Sequence, residues 1–566
     1  MKRFTHTITH RKFSTVAAVL ALTAILLLPA SGYAVTRGEM LAALWNELGY
    51  AKPAAMELPP DVPQGHLYAK QIGYATRYGL MPKGEFFLPD DEIDRHDAVR
   101  MTLMMMGWGF EVSLYESLAT LPDLGGSGDS VFFLAAEMQP SAPQNILIDG
   151  FTPLSDTAKS SLLAWVRQCK KSVRWNRVMP FNGTDLIIFR QGVALPGVPN
   201  TPGEGNPVGT PANEPIYVAA IAVDPTLADQ RIAFAEQIGR PRATPSEFAS
   251  LYEPIGLVNG GFFAGARPVG TMLTDGRHAG RPLEGRSAVG WNNGEGTFVF
   301  GPGQAAVGAR TPKGYIEFLR FNSAPQENEA ALYNASVAVS SIGVALDALQ
   351  LVVAGGVVTE RREGSENNHW LPEGSMMIVA RGNMRSYLED MRPGDKVTFI
   401  SDWETEAFRN CSDLIQAGPM LVRNGTILPD VESFKPDITD KRHPRTIMGT
   451  DGRRMIWAVI DGRSSLHSRG ATMDETRWIA KSLGLQTAIN MDGGGSSQLI
   501  WRGVLVNSPS DGRERPLPYA VMVMPKGAQV ARKSTSDQGE FGAYGYTVED
   551  EREAVFMDVY DPAANR

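Results

Sequence analysis

Apolar positions near the start of the chain recur at helical spacing, and they do so twice. The stretch from Val35 to Trp45 aligns with that from Ile93 to Leu103, and each copy runs into a glycine, Gly49 or Gly107. Thr36 and Asp94 stand at the N-cap position, with Glu39 and Asp97 three residues on, so each copy predicts a capped amphipathic helix. Between the copies, Pro60 to Pro63 predicts a turn, Tyr68 to Gly79 a second helix, and Phe86 to Asp90 an exit loop. A degenerate further copy is expected from Phe151 to Trp165. The methionines Met101, Met104, Met105 and Met106 fall on the same periodicity and are expected in the helix core.

Past residue 195 the pattern changes. Leu195 to Pro207 is dense in proline and glycine and poor in aliphatics, which predicts a linker or long loop. Short β-type runs follow at Ile216–Val223, Gly256–Val258, Thr297–Phe300, Leu349–Val353, Met376–Ala380 and Val397–Ile400, so this part is expected to be strand-rich with few helices. Near the C-terminal end, Met455–Ile460 is a continuous apolar strand running into Asp461-Gly462-Arg463. Thr472 and Glu475 then form a capping box for a helix with an apolar stripe at Trp478, Ile479 and Leu483, stopped at Gly484. Thr487–Met491 is a further strand, ending in Asp492, and Gln498–Trp501 another. If the strands before Asp461 and Asp492 pair in parallel through that helix, both carboxylates emerge at one sheet edge and share one cleft.

The order of elements over residues 35 to 110 resembles the surface-layer homology repeat of bacterial cell-envelope proteins. Such repeats anchor proteins to wall polysaccharide through a Thr-Arg-Ala-Glu type motif, which reads here as Thr36-Arg37-Gly38-Glu39 and Asp94-Arg95-His96-Asp97. With that departure, a helical module that only packs is the alternative.

Composition and charge narrow the choice. The 566 residues are 43% hydrophobic and 20% charged, enough for two or three folded units. A net charge of -8 and no basic tract interleaved with aromatics exclude a non-specific nucleic-acid binder. Lys2, Arg3, Arg11 and Lys12 precede an apolar run from Ser14 to Leu28 and the small-residue stretch Pro29 to Ala34. This pattern predicts a signal peptide over 1–34, hence a secreted or envelope protein, because the run is shorter than the ~20 residues a membrane span needs. No later segment is apolar enough to span a bilayer. Cys169 and Cys411 are the two cysteines, and the sequence cannot say whether they pair. The expected division is therefore 1–34 signal peptide, 35–125 helical module, 126–214 middle region and linker, 215–526 catalytic domain and 527–566 polar tail.

The chemistry concentrates at Asn490-Met491-Asp492-Gly493-Gly494-Gly495-Ser496-Ser497. Three glycines let backbone N–H groups approach a ligand, while Asp492 supplies an acid or base. No Lys-Ser/Thr pair and no helix pattern follow, so this is not a nucleotide-binding loop. Arg445 and Arg463 can grip phosphate oxygens through paired N–H bonds. Asn259 can bind sugar hydroxyls, His443 can protonate a departing oxygen, and His467, Ser496 and Ser497 can hydrogen-bond a substrate. Glu284 and Arg286 are expected to line the same cleft, and the polar loop from Ser508 to Pro518, with Asp511 and Arg515, to cover it.

Five ordered motifs resemble the phosphodiester glycosidase family over roughly residues 215 to 525: Leu257 to Phe263, Gln416 to Val422, Arg442 to Gly449, Asp461-Gly462-Arg463 and Asn490 to Ser497. Phe263 and Met491 stand where tyrosine and leucine are common. The resemblance implies an α+β fold, strand-rich around a mixed sheet. It further implies hydrolysis of a sugar-1-phosphodiester at the anomeric carbon, of the N-acetylglucosamine-1-phosphate type, in an envelope glycan, teichoic acid or exopolysaccharide. A phosphoryl leaving group departs as a weak base, so one carboxylate with good phosphate recognition suffices. Asp492 is expected as base or nucleophile, and Asp461 as its partner or as ligand of a structural divalent cation. Beyond that cation the residues name no cofactor, and the sequence does not say whether the reaction needs a metal. Two alternatives stay open: a phosphodiesterase cleaving P–O, which eight histidines without ligand spacing disfavour, and a non-catalytic wall-carbohydrate binder.

Overall fold

The computed structural model describes residues 34–51, 56–77, 80, 86–122, 129–147, 150–194, 214–337, 347–363 and 371–528. Within the expected signal peptide only residue 34 is described, and the linker and all but the first residues of the polar tail also lie outside this set. The fold is α+β, with helices gathered at the N-terminal end and antiparallel sheets after them.

Helices α1 (Arg37–Leu48), α2 (Ala69–Arg77), α3 (Arg95–Met105), α4 (Gly109–Ala119), α5 (Ser130–Glu137) and α6 (Asp156–Lys171) form the first unit. Thr36 and Glu39 make a reciprocal capping box on α1; Asp94 caps α3 and Ser155 caps α6. The segments leading into these three helices close a ring of backbone hydrogen bonds. Ile93 N donates to Val35 O at 2.9 Å, Leu154 N to Ile93 O at 2.8 Å, and Val35 N to Leu154 O at 3.0 Å. The internal repeat is thus a cyclic arrangement of three capped helices, with the degenerate copy as its third member. Met101, Met105 and Met106 are buried, as core residues would be. Cys169 and Cys411 are both buried and form no disulfide with each other.

The main sheet has eight strands, numbered along the chain: β1 (Arg174–Phe181), β2 (Thr184–Gln191), β3 (Ile216–Val223), β4 (Met420–Arg423), β5 (Thr426–Ile427), β6 (Arg445–Thr450), β7 (Met455–Ile460) and β8 (Thr487–Asn490). Their order is β1-β2-β3-β7-β6-β8-β4-β5, antiparallel throughout. The expected parallel pairing of β7 with β8 is therefore corrected: both pair with β6, which runs between them. They still point the same way, so Asp461 and Asp492 do leave the sheet at one edge, joined there by the start of β6. The helix Met473–Ser482 between them has Thr472 and Glu475 as its capping box. Its buried face is Met473, Thr476, Arg477 and Ala480, one step off the expected stripe, and Trp478 is 63% exposed.

A second, five-stranded sheet holds Gly256–Asn259 between Leu499–Trp501 and Tyr519–Pro525. Among the described residues four further sheets lie in the stretch from 263 to 416, antiparallel but for the pairing of Arg320–Phe321 with Ala330–Asn334. One continuous apolar core runs from the helices into the sheets, taking Trp45, Trp108 and Trp165 from the former and Trp175, Trp457 and Trp501 from the latter. Large apolar side chains buried this way contribute roughly 1.5–3 kcal/mol each, so the N-terminal helices share the stability of the sheet. The contact is close at Gly107, φ +84°, where a Cβ would collide with the Leu466 carbonyl.

Candidate active site

The chain crosses from the main sheet to the second sheet through Met491 to Gln498, and the candidate site is built on that crossing. Backbone bonds fix the path: Met491 N donates to Thr446 O at 2.8 Å, Asp492 N to Gly260 O at 3.2 Å, and Gly494 N to Pro444 O at 3.0 Å. Gly494 has φ +63° and lies under Arg463, whose Nη2 would sit 3.2 Å from an added Cβ; a Cβ on Gly495 would collide with the Asp511–Arg515 ion pair. The glycines are needed for close approach of charged side chains to the backbone.

Asp492 is half-buried. Its Oδ1 accepts the Gly493 N–H at 3.0 Å. Burial pushes its carboxyl up to about 6, against the opposing hydrogen bond from Ser496, the charge of Arg515 and the Gly493 amide. Arg515 also donates to Ser496 Oγ at 3.5 Å. Beneath the loop, burial and then the charge of Asp492 hold the Tyr519 hydroxyl well above its ordinary range. A carboxylate poised near neutrality in a bare, cation-flanked loop is suited to act as base or nucleophile.

Arg463 adopts φ +61°, a strained conformation for a residue with a side chain. Its guanidinium donates to Ser510 Oγ at 3.3 Å and to His443 Nδ1 at 3.4 Å. That second bond, with Nε2 donating to Asp437 O at 3.0 Å, makes His443 a neutral imidazole with its proton already committed. Burial, then Arg445 and Arg463, push its pKa down to about 4. The expected role of His443 as proton donor is therefore corrected; it holds Arg463 instead.

Three other expected residues take supporting positions. Asn259 is 1% exposed. Its Nδ2 donates to Asp492 O at 2.8 Å, and its Oδ1 accepts Thr446 Oγ1 at 2.9 Å and Gln498 N at 3.2 Å. Through these bonds it pins the loop from below. Arg445 is buried, and donates to the carbonyls of Ala471, Ile438 and Lys441 at 2.9, 2.6 and 3.1 Å. Burial pushes it down to about 9; it braces the turn before β6. Asp461 is 1% exposed and surrounded by donors: Asn507 Nδ2 and Ser508 N at 2.7 Å and His467 Nε2 at 2.8 Å. A donor shell is the opposite of what a divalent cation needs, so the expected cation-ligand role does not fit. Nor does His467 face a substrate.

Ser497 Oγ is 3.1 Å from Thr446 Oγ1, inside the same brace. Arg286 stacks on Phe434, 3.7 Å from its ring centroid, and donates to the Glu432 carbonyl. Glu432 in turn accepts Ser287 Oγ at 2.6 Å and Met420 N at 2.7 Å, bracing the turn that hydrogen-bonds Asn490. Glu284 is exposed on the turn before Arg286. Sequence reading missed Tyr519, Thr446, Gln498, Asn507 and Glu432: Thr446 and Gln498 stand in stretches it had singled out, and the other three in none. A separate cavity of about 370 Å³, lined among others by Arg231, Tyr252, Asp275 and Asp413, shares no residue with this cluster.

The phosphodiester glycosidase (NAGPA) family model matches residues 347–524, under a third of the chain. That stretch carries Arg445, Asp461, Arg463 and the whole Asp492 loop, and it is similar to the phosphodiester glycosidase domain. No curated protein matches the chain. Among solved structures, a putative exported protein from Burkholderia pseudomallei is similar at 17% identity, covering 62% of this chain and 96% of its own, with a TM-score of 0.48. A hypothetical protein from Synechocystis is similar at 18% identity, 62% and 77% coverage and a TM-score of 0.46. The catalytic domain of zebrafish N-acetylglucosamine-1-phosphodiester alpha-N-acetylglucosaminidase, auto-inhibited by its pro-peptide, is similar at 13% identity, 62% and 88% coverage and a TM-score of 0.31.

Proposed function

We propose that the protein hydrolyses the glycosidic C–O bond of a sugar-1-phosphodiester, releasing a free sugar and a phosphomonoester. The observation that carries this reading is Asp492, a carboxyl raised to about 6 on a glycine loop, with the Arg515 charge acting on it and the Arg463 guanidinium lying over Gly494 of the same loop. The cations suit the phosphate; the carboxylate suits the anomeric carbon or the water that attacks it. The leaving phosphate monoester is a weak base, so the scheme works without the proton donor that His443 fails to supply. Asp461 supports rather than reacts.

The proposed setting is a secreted or envelope-bound bacterial enzyme acting on a glycan or teichoic-acid-like polymer, its signal peptide removed after Ala34. Among the described residues no helix is long and apolar enough to cross a membrane. The three-fold ring of capped helices supports a surface-layer-homology-like module that holds wall polysaccharide. The test is turnover of N-acetylglucosamine-1-phosphate methyl diester by residues 35–566, with Asp492→Asn alongside. Turnover lost and binding kept in the variant supports the enzyme; equal binding with no turnover in either protein supports a carbohydrate-binding protein.

A further inference from the structure

An alternating chain of buried charges joins the N-terminal helices to the glycine loop. Arg190, on β2, donates from Nε to Glu111 Oε1 of α4 at 2.7 Å, and both side chains are fully buried. The same carboxylate oxygen lies 3.1 Å from His467 Nδ1. His467 Nε2 meets Asp461 Oδ2 at 2.8 Å, and Asp461 Oδ1 accepts Asn507 Nδ2 at 2.7 Å. Asn507 reaches the active loop: its Nδ2 also donates to Ser497 O at 3.0 Å, and its Oδ1 accepts Leu499 N at 2.7 Å. Among the described residues the imidazole faces Glu111 and Phe110 of α4, Tyr217 of β3 and Asp461, with Arg190 behind Glu111.

We infer that Glu111 is a positioning residue for the Asp492 site, acting from the helical module through His467, Asp461 and Asn507 on the Ser497 end of the loop. The inference rests on the reading of that loop as catalytic. With His467 protonated the chain reads plus, minus, plus, minus; burial opposes that proton, and the two carboxylates on either side more than offset it. Replacing Glu111 by a neutral side chain leaves the imidazole anchored by Asp461 alone and Arg190 without its buried carboxylate, so the His467–Asp461 contact loses its second point of attachment. An apolar contact would join the two units as well, so a buried ionic chain that ends on the loop points to orientation rather than adhesion. The enzyme unit then begins well before the residues that the family model covers.

The experiment compares Glu111→Gln in the full chain with Val112→Ala, a core truncation on the same helix that leaves the polar chain intact. The expected result for Glu111→Gln is amide hydrogen exchange at Leu499 and Ser508 at least tenfold faster, and kcat about tenfold lower with KM little changed. Val112→Ala, at a comparable Tm, should leave both unchanged. If Glu111→Gln does not fold, His467→Gln keeps a donor for Asp461, cuts the link to Glu111 and carries the same readouts. Exchange unchanged in the folded variant, or faster exchange with unchanged kcat, would overturn the inference. If the wild type turns over no sugar phosphodiester, the proposed function fails, and the exchange data still decide whether Glu111 controls the loop.

Discussion

Asp492, the reacting carboxyl of the proposed function, is held where its charge is unwelcome. With its carboxyl raised to about 6, the native protein binds more protons than the unfolded chain between about pH 4 and pH 6, so its share of stability falls as pH rises through that window. Asp492→Asn should therefore be the more stable protein above pH 6, while losing about 10²–10⁴-fold in kcat. Thermal melts and kinetics on the same preparation check both signs. In the wild type, kcat/KM should climb with pH through about 6 as the carboxylate ionises. His443, neutral in that range, should leave the shape of that profile alone: His443→Gln is expected to keep the same limb with less than a tenfold loss of rate. Arg463→Lys should raise KM for phosphodiesters, since an ammonium cannot reproduce the forked guanidinium.

The elements explain why so much of the site could be read from the chain and why some of it could not. β7 and Met376–Ala380 stand where their apolar runs predict them, because central strands are buried on both faces and write that burial into the sequence. Their partners are another matter: the separation of β7 from β8 by β6 depends on a strand whose sequence gives no hint of its place between them. The glycine loop was legible since three bare residues in a row have few other uses, but the bond from Asn259 to Asp492 spans 233 positions and leaves no local signal. Trp478 misled because a large apolar residue on a helix is usually inside. Two substitutions test the loop as a unit. Gly495→Ala should drive Asp511 and Arg515 apart and cut activity at least tenfold with little change in Tm. Asn259→Ala removes the side-chain partner of Asp492 O and of Gln498 N and should lower stability by about 1–3 kcal/mol, measured by denaturant titration.

At the scale of the molecule, the helices before residue 195 belong to the same folding unit as the sheets. β1 and β2 extend the main sheet, and the apolar core is continuous across the junction. A chain starting at residue 214 would expose the edge of β3 and lose the core packing of Trp108, Trp165 and Trp175; it is expected to aggregate on expression, as judged by size-exclusion chromatography. The central claim is that the bond broken is C–O at the anomeric carbon, and the site serves that bond with a single raised carboxylate and two guanidinium groups. The most direct test is to turn over N-acetylglucosamine-1-phosphate methyl diester in ¹⁸O water and weigh the products by mass spectrometry. Label in the free sugar is the result predicted here; label in the phosphate would mean P–O cleavage and contradict the account.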